Sequence, residues 1–145
     1  MISRESAIQK FVEAYEIDVP QELVDEEIQI VTMDIRHRMT YGNMAGQNNL
    51  NPMEQLSKIE EMDDEIHDIA YLNVKEELVM KELMDRDEFA VDQAELEAYA
   101  LQMSEKENTS MELIKKFFGD DLAMLEGSIR RKKAEDWIYE KISSK

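Results

Sequence analysis

Apolar residues recur along this chain at three- and four-residue steps, the spacing of one face of an α-helix. Ile8, Phe11, Val12 and Tyr15 make the first such stripe, and Asp18-Val19-Pro20 ends it. Proline is favoured at the first position of a helix, where its missing N–H has no intrahelical partner to lose, so a second helix is predicted from Pro20. Val24, Ile28, Val31, Ile35 and Met39 form its core stripe, flanked by Leu23 and Ile30, and together they are broad enough to meet more than one neighbour.

Gly42 is the expected stop of that helix, and Gly42 through Asn51 reads as an exposed loop rich in Gly, Asn and Gln. Asn51-Pro52-Met53-Glu54 then combines a capping Asn, a first-position Pro and an acid three residues after the cap. From there Leu56, Ile59, Met62, Ile66, Ile69, Val79, Leu83 and Met84 hold a helical period, so one long helix is predicted to about Met84, with a local break near Asn73 or Val74. Asp92-Gln93-Ala94-Glu95 and Thr109-Ser110-Met111-Glu112 are two further capping boxes. They open a helix ended by Glu107-Asn108 and a short one closed by Gly119. A last helix is predicted from about Asp121, in which Gly127 marks close packing or a bend.

With 4 Gly and 2 Pro in 145 residues, composition supports an all-α fold of one domain's length. Charged residues make up 35% of the chain and hydrophobic residues 43%, which describes a foldable core under a heavily charged surface. The net charge of -17 repels phosphate backbones and anionic lipid headgroups, so neither nucleic acid nor membrane is an expected partner. Cysteine is absent, which removes disulfides, thiolate metal sites and a thiol nucleophile. No apolar run approaches a membrane span and the start lacks a signal-peptide pattern, so a cytoplasmic location is expected.

Little in the chain points to catalysis. His37 and His67 belong to no ligand pair such as HExxH, and no Gly-rich phosphate-binding loop is present. Glu60-Glu61-Met62-Asp63-Asp64-Glu65 lacks the turn that wraps calcium, and reads as a solvated helix face. The basic run Arg130-Arg131-Lys132-Lys133 spreads around a helix without aromatic stacking partners, and is expected to pair with acidic neighbours. No metal, cofactor or enzymatic activity is expected. The 11 methionines are the unusual feature. Met33, Met62, Met80 and Met84 read as core filling, while those flanking the Asn-rich loop are open to a second role as flexible, polarizable contacts.

The segment Glu16-Ile17-Asp18-Val19-Pro20-Gln21-Glu22-Leu23-Val24-Asp25-Glu26-Glu27-Ile28 resembles the trigger factor string (I/V)-(D/E)-(V/L)-P-x-x-(L/V)-(V/I)-x-x-E, which opens the first arm of that family's client cradle. Phe117-Phe118-Gly119, then Leu122, Leu125 and Ile129, then Lys132-Lys133-Ala134-Glu135-Asp136-Trp137-Ile138 are similar to its terminal helix with a Lys-x-x-(D/E)-(F/W)-(L/I) ending. The resemblance covers essentially the whole chain. It implies an elongated multi-helix domain over residues 1–145, trigger factor C-terminal-like or SurA-like, with two helical arms forming a client-binding crevice. It also implies an ATP-independent holdase for nascent or unfolded polypeptides.

The family's ribosome-docking signature, Gly-Phe-Arg-x-Gly-x-x-Pro, and its FKBP-like isomerase domain are not found in these residues, so ribosome docking and prolyl isomerisation are not carried over. The chain is expected to be an excised domain or a stand-alone relative. Because they flank predicted loops and helix junctions, Met39, Tyr41, Met44, Met53, Met103, Met111, Phe117 and Phe118 are the expected client-facing residues. Phe117 and Phe118 are also open to a place in the core. The competing reading is an acidic helical assembly module that binds one specific partner or forms a homodimer.

Overall fold

In a computed structural model, which describes residues 2–46 and 49–144, every regular element among the described residues is helical. The α-helices are α1 (Arg4–Ala14), α2 (Gln21–Met44), α3 (Pro52–Glu61), α4 (Asp63–Met84), α5 (Gln93–Glu107), α6 (Met111–Phe118) and α7 (Glu126–Ser143). Two 3₁₀ turns, Asp87–Phe89 and Ala123–Leu125, join the later ones. The fold class is therefore all-α, as the periodicity predicts. Two compact units share the chain: Val12–Leu78 is one, and the segments up to Phe11 and from Val79 onward make the other.

The Val12–Leu78 unit is built on a three-helix core of Val24 and Val31 from α2, Ile59 from α3, and Ile66, Ala70 and Val74 from α4. Ile28, Ile35, Met39 and Met62 pack against its edge. Pro20 sits one residue earlier than predicted, as the N-cap of α2 with extended backbone, and its carbonyl accepts from the N–H groups of Leu23 and Val24. Gly42 does not stop α2. It is buried inside the helix, which continues to Met44, and the left-handed residue that terminates it is Gly46 at φ +76°. Residues 47 and 48 of the expected loop lie outside the described residues.

The start of α3 is as the sequence predicts: Asn51 Oδ1 accepts from the Glu54 N–H at 2.9 Å. The reciprocal bond takes a different route, with Asn51 Nδ2 donating to the Glu54 carboxylate at 2.8 Å. The long helix does break, but at Met62 and not near Asn73 or Val74. The Met62 N–H is shared between the carbonyls of Lys58 and Ile59, a tightened last turn that ends α3. Asp63, Asp64 and Glu65 then occupy the first turn of α4, where carboxylates meet the positive end of the helix dipole. All three are exposed, the solvated face the sequence predicts, and their clustering also marks a helix start.

Among the described residues Lys75 is the one charged residue in the buried set, at 8% exposure. Its Nζ donates to the Glu13 carbonyl at 3.1 Å, which places a cation on the C-terminal end of α1, a helix with no basic residue in its own last turn.

In the other unit a second core gathers Leu96 and Ala100 from α5, Ile114 from α6, Leu122 and Leu125 from the 3₁₀ region and Ile129 from α7. Asp92 caps α5 by accepting from the Glu95 N–H at 2.9 Å, and Asn108, at φ +52°, ends it. The cap of α6 is Ser110, whose Oγ accepts from Leu113 N–H at 3.2 Å, and not Thr109, whose hydroxyl turns back to the Glu107 carbonyl. Gly119, at φ +94°, closes α6 as predicted.

The last helix begins at Glu126, five residues later than predicted, because Leu122 adopts a left-handed conformation at φ +63°. That conformation costs roughly 1–2 kcal/mol for a residue with a Cβ, while fully burying a leucine gains about 1.5–3 kcal/mol. Leu122 is completely buried, so packing wins over local preference. Gly127 has nothing within 4 Å of where a Cβ would stand, so close packing is not its reason for being there.

The single tryptophan, Trp137, meets Phe11 and Phe89 edge-on at centroid distances of 5.5 and 6.3 Å. Arg86 and Lys141 lie over its ring at 5.1 and 4.6 Å. Asp136 pairs with Arg4 and, by hydrogen bond and charge, raises the pKa of that guanidinium.

Candidate functional site: exposed apolar surfaces

The core stripe of α2 does not account for all of its apolar residues. Leu23, Ile30, Met33, Tyr41 and Met44 are all exposed, Ile30 to 59%, Met33 to 62% and Met44 to 82%. At about 100° per residue these five, with the exposed His37 among them, fall on the side of the helix roughly opposite Val24, Val31 and Ile35. At 1.5 Å per residue the row from Leu23 to Met44 runs for about 32 Å. Met33 is thus not core filling, and Leu23 and Ile30 do not widen the core stripe. Of the other methionines read as core, Met80 is fully enclosed and Met62 is partly buried.

This row ends at the turn between α2 and α3. Asn43 holds that turn, with Nδ2 donating to the Leu50 carbonyl at 2.6 Å and Oδ1 accepting from the Leu50 N–H at 3.0 Å. Tyr41 and Met44 line a shallow groove with His37 and Arg38 on one side of the turn. Met53, exposed in the first turn of α3, lines another with Leu50 and Lys58 on the other side. Met39, the fourth expected residue of this region, is partly buried against the three-helix core.

A second apolar surface belongs to the other unit. Met103, Leu113, Ile114, Phe117 and Phe118 line a groove of about 310 Å³ between the end of α5 and α6. Phe117 is 72% exposed while Phe118 packs against the core, and their rings diverge at 47°. Adjacent helical positions cannot share a face, so the two aromatics divide between surface and core. Met103 and Met111 also pack against that core from its edge.

The structure thus brings Tyr41 and Met44 together, with Met53 across the turn, and places Met103, Phe117 and Phe118 around one groove. Met39 and Met111 stand apart as edge-of-core residues. Leu23, Ile30, Met33 and Leu113 were not among the expected contacts. A signal existed for the α2 residues: Leu23, Ile30, His37 and Met44 follow one another at seven-residue steps, a second period beside that of the core stripe.

The polar groups offer no comparable convergence. Among the described residues no group of three His, Cys, Asp or Glu side chains could hold a metal ion, and no helix is long and apolar enough to cross a membrane. The basic run is largely engaged within its own unit, as expected. Arg130 pairs with Glu126 and donates to the Met84 carbonyl, Arg131 pairs with Glu135, and Lys133 pairs with Glu95 at 2.7 Å.

Comparison with known proteins follows the same line. Residues 2–140 match the family model of the bacterial trigger factor protein C-terminus. The trigger factor of Bacillus subtilis is 30% identical over 139 residues, covering 94% of this chain and 32% of the relative. That of Borreliella burgdorferi is 28% identical over 137 residues, covering 90% of this chain and 28% of the relative. That of Carboxydothermus hydrogenoformans is 25% identical over 143 residues, covering 96% and 33%. The chain spans about a third of the length of these relatives. No solved structure gives a significant match. With an all-helical fold and a family match running over nearly its whole length, the chain belongs to the bacterial trigger factor C-terminal family.

Proposed function

We propose that the chain is an ATP-independent holdase module, which binds exposed apolar segments of nascent or unfolded polypeptides in the cytoplasm and keeps them from aggregating. The observation that carries this reading is the exposed row of Leu23, Ile30, Met33, Tyr41 and Met44 on the outer side of α2. Large apolar side chains left in water over such a length lose contact energy that an apolar segment laid against them would recover. Methionine and tyrosine suit varied sequences, the first because it is flexible and polarizable, the second because its ring offers large area at small entropic cost. Scattered contacts of this kind open quickly one by one, so release requires no nucleotide. Family membership supports the same role, which involves binding and no bond-making.

The test is light scattering by several unrelated, thermally unfolding proteins in the presence of the chain. Replacing Ile30, Tyr41 and Met44 together with Ser is expected to weaken the protection severalfold while leaving helix content unchanged, since these side chains are outside the core. Saturable binding to one folded protein, with no protection of unfolded ones, would replace this reading with that of an acidic assembly module.

A further inference from the structure

Among the described residues four methionines stand far out in solvent: Met33, Met44, Met53 and Met124, the last two at 71% and 70% exposure. Met80, by contrast, is 1% exposed, and Met39, Met62, Met103 and Met111 are partly buried against the two cores. Three of the four stand along the proposed capture surface, while Met124 lies in the other unit. Met33 and Met44 belong to the outer row of α2, and Met53 stands just past the turn that ends it. The chain has no cysteine, so no thiol within it intercepts an oxidant first.

We propose that Met33, Met44 and Met53 form an oxidation-sensitive modification site, at which a peroxide converts exposed thioethers to sulfoxides and switches off apolar capture while the fold persists. This inference rests on the reading of the outer row of α2 as the capture surface. In the step itself the thioether sulfur attacks one peroxide oxygen. An S–O bond forms, the O–O bond breaks, and the other oxygen leaves as hydroxide, which takes the proton from the oxygen now on sulfur to become water. Sulfur loses two electrons and the peroxide gains them. The product carries a strong, polar acceptor in place of an apolar sulfur. An apolar segment has no donor for it, so binding would strip water from the sulfoxide without replacing the lost hydrogen bonds. Met80 is enclosed and out of reach of the oxidant, and Met39, Met62, Met103 and Met111 are partly shielded by the cores they pack against, so they react after the exposed set.

The experiment uses the full chain, hydrogen peroxide, and a dansyl-labelled peptide of Leu, Phe and Ser with no charged side chain as the probe. Peptide mass spectrometry should find one added oxygen at Met33, Met44, Met53 and Met124 well before Met80. Probe affinity should fall about tenfold once the first three are converted, the combined effect of three small losses. The circular dichroism spectrum should not change. A Met33→Leu, Met44→Leu, Met53→Leu variant keeps apolar volume without the oxidisable sulfur, so whatever its own starting affinity, that affinity is expected to be the same before and after peroxide. The proposal is overturned if the converted parent binds as before, if the leucine variant loses affinity as the parent does, or if helix content falls together with affinity. A parent that fails to bind the probe before any oxidation overturns the capture reading itself, and this inference with it.

Discussion

Asn43 pairs with Leu50 through both arms of its side-chain amide, donating to the Leu50 carbonyl at 2.6 Å and accepting from the Leu50 N–H at 3.0 Å. The amide thereby does what a neighbouring backbone would do in a ladder, and it fixes the separation of α2 and α3 at the turn that carries Tyr41, Met44 and Met53. Both bonds are partly shielded from water. Asn43→Ala should therefore cost about 1–2 kcal/mol of stability. Asn43→Asp should cost a similar amount, because a carboxylate cannot donate to the carbonyl. Chemical denaturation measures the loss, and hydrogen exchange should quicken at the Leu50 amide. Exchange at Leu50 as slow as in the parent would show that the turn is held by something else.

Leu122 combines a left-handed backbone with complete burial in the second core. Truncation to Ala leaves the backbone cost in place and removes the burial that offsets it. The expected loss is about 2–5 kcal/mol, the range for large-to-small changes in a core. The measurement is the denaturation midpoint of Leu122→Ala, and a loss below about 1 kcal/mol would mean that the neighbouring Leu125 alone anchors this segment.

The two hydroxyl residues before α6 separate a sequence pattern from an actual cap. Ser110→Ala removes the acceptor of the Leu113 N–H and should cost about 1 kcal/mol, whereas Thr109→Ala should stay within roughly 0.5 kcal/mol. Thermal unfolding of the two variants side by side checks the order, and its reversal would return the cap to Thr109.

Met39 and Met44 both flank the α2–α3 turn in sequence but face different surroundings. Met39→Ser places a hydroxyl at the edge of the three-helix core and should cost about 1–3 kcal/mol, whereas Met44→Ser should be near neutral for stability. Protection of unfolded clients should show the opposite order for variants compared at a temperature where both are folded. Equal effects of the two on protection would indicate a capture surface that does not follow exposure.

Salt should distinguish the two parts of binding. The net charge of -17 attracts basic clients over a distance that shrinks to about 10 Å at 0.1 M salt and about 3 Å at 1 M. Capture of a basic unfolded protein is therefore expected to weaken as salt rises, while capture of a neutral apolar one holds or strengthens. Aggregation of both clients at low and high salt gives the comparison, and parallel loss of the two would make electrostatics, not apolar contact, the main source of affinity.

How far the sequence reaches differs from element to element. Asn51, Asp92 and Gly119 act where the sequence places them, because capping and a positive φ are settled within three or four residues of chain. Gly42, Met62 and Leu122 do not follow their local reading. A glycine can be absorbed into a helix whose hydrogen bonds continue past it, and a leucine can take a left-handed backbone when a core rewards it. Neither reward is visible in the neighbouring residues.

The same division runs through the candidate site. The sequence by itself determined the helical class, most helix starts, the excess of negative charge and the chemistry available, since these depend on residue type and short-range order. The sequence also picked out Val24, Ile28, Val31, Ile35 and Met39 as the core stripe of α2, and only the tertiary structure decided that Leu23 and Ile30 lie outside it. Val24 and Val31 meet Ile59, Ile66, Ala70 and Val74 from α3 and α4, and that choice turns Leu23, Ile30, Met33, Tyr41 and Met44 outward. Burial is a property of contacts between residues far apart in the chain, so how far round a helix the buried stripe extends is not settled until its neighbours are in place.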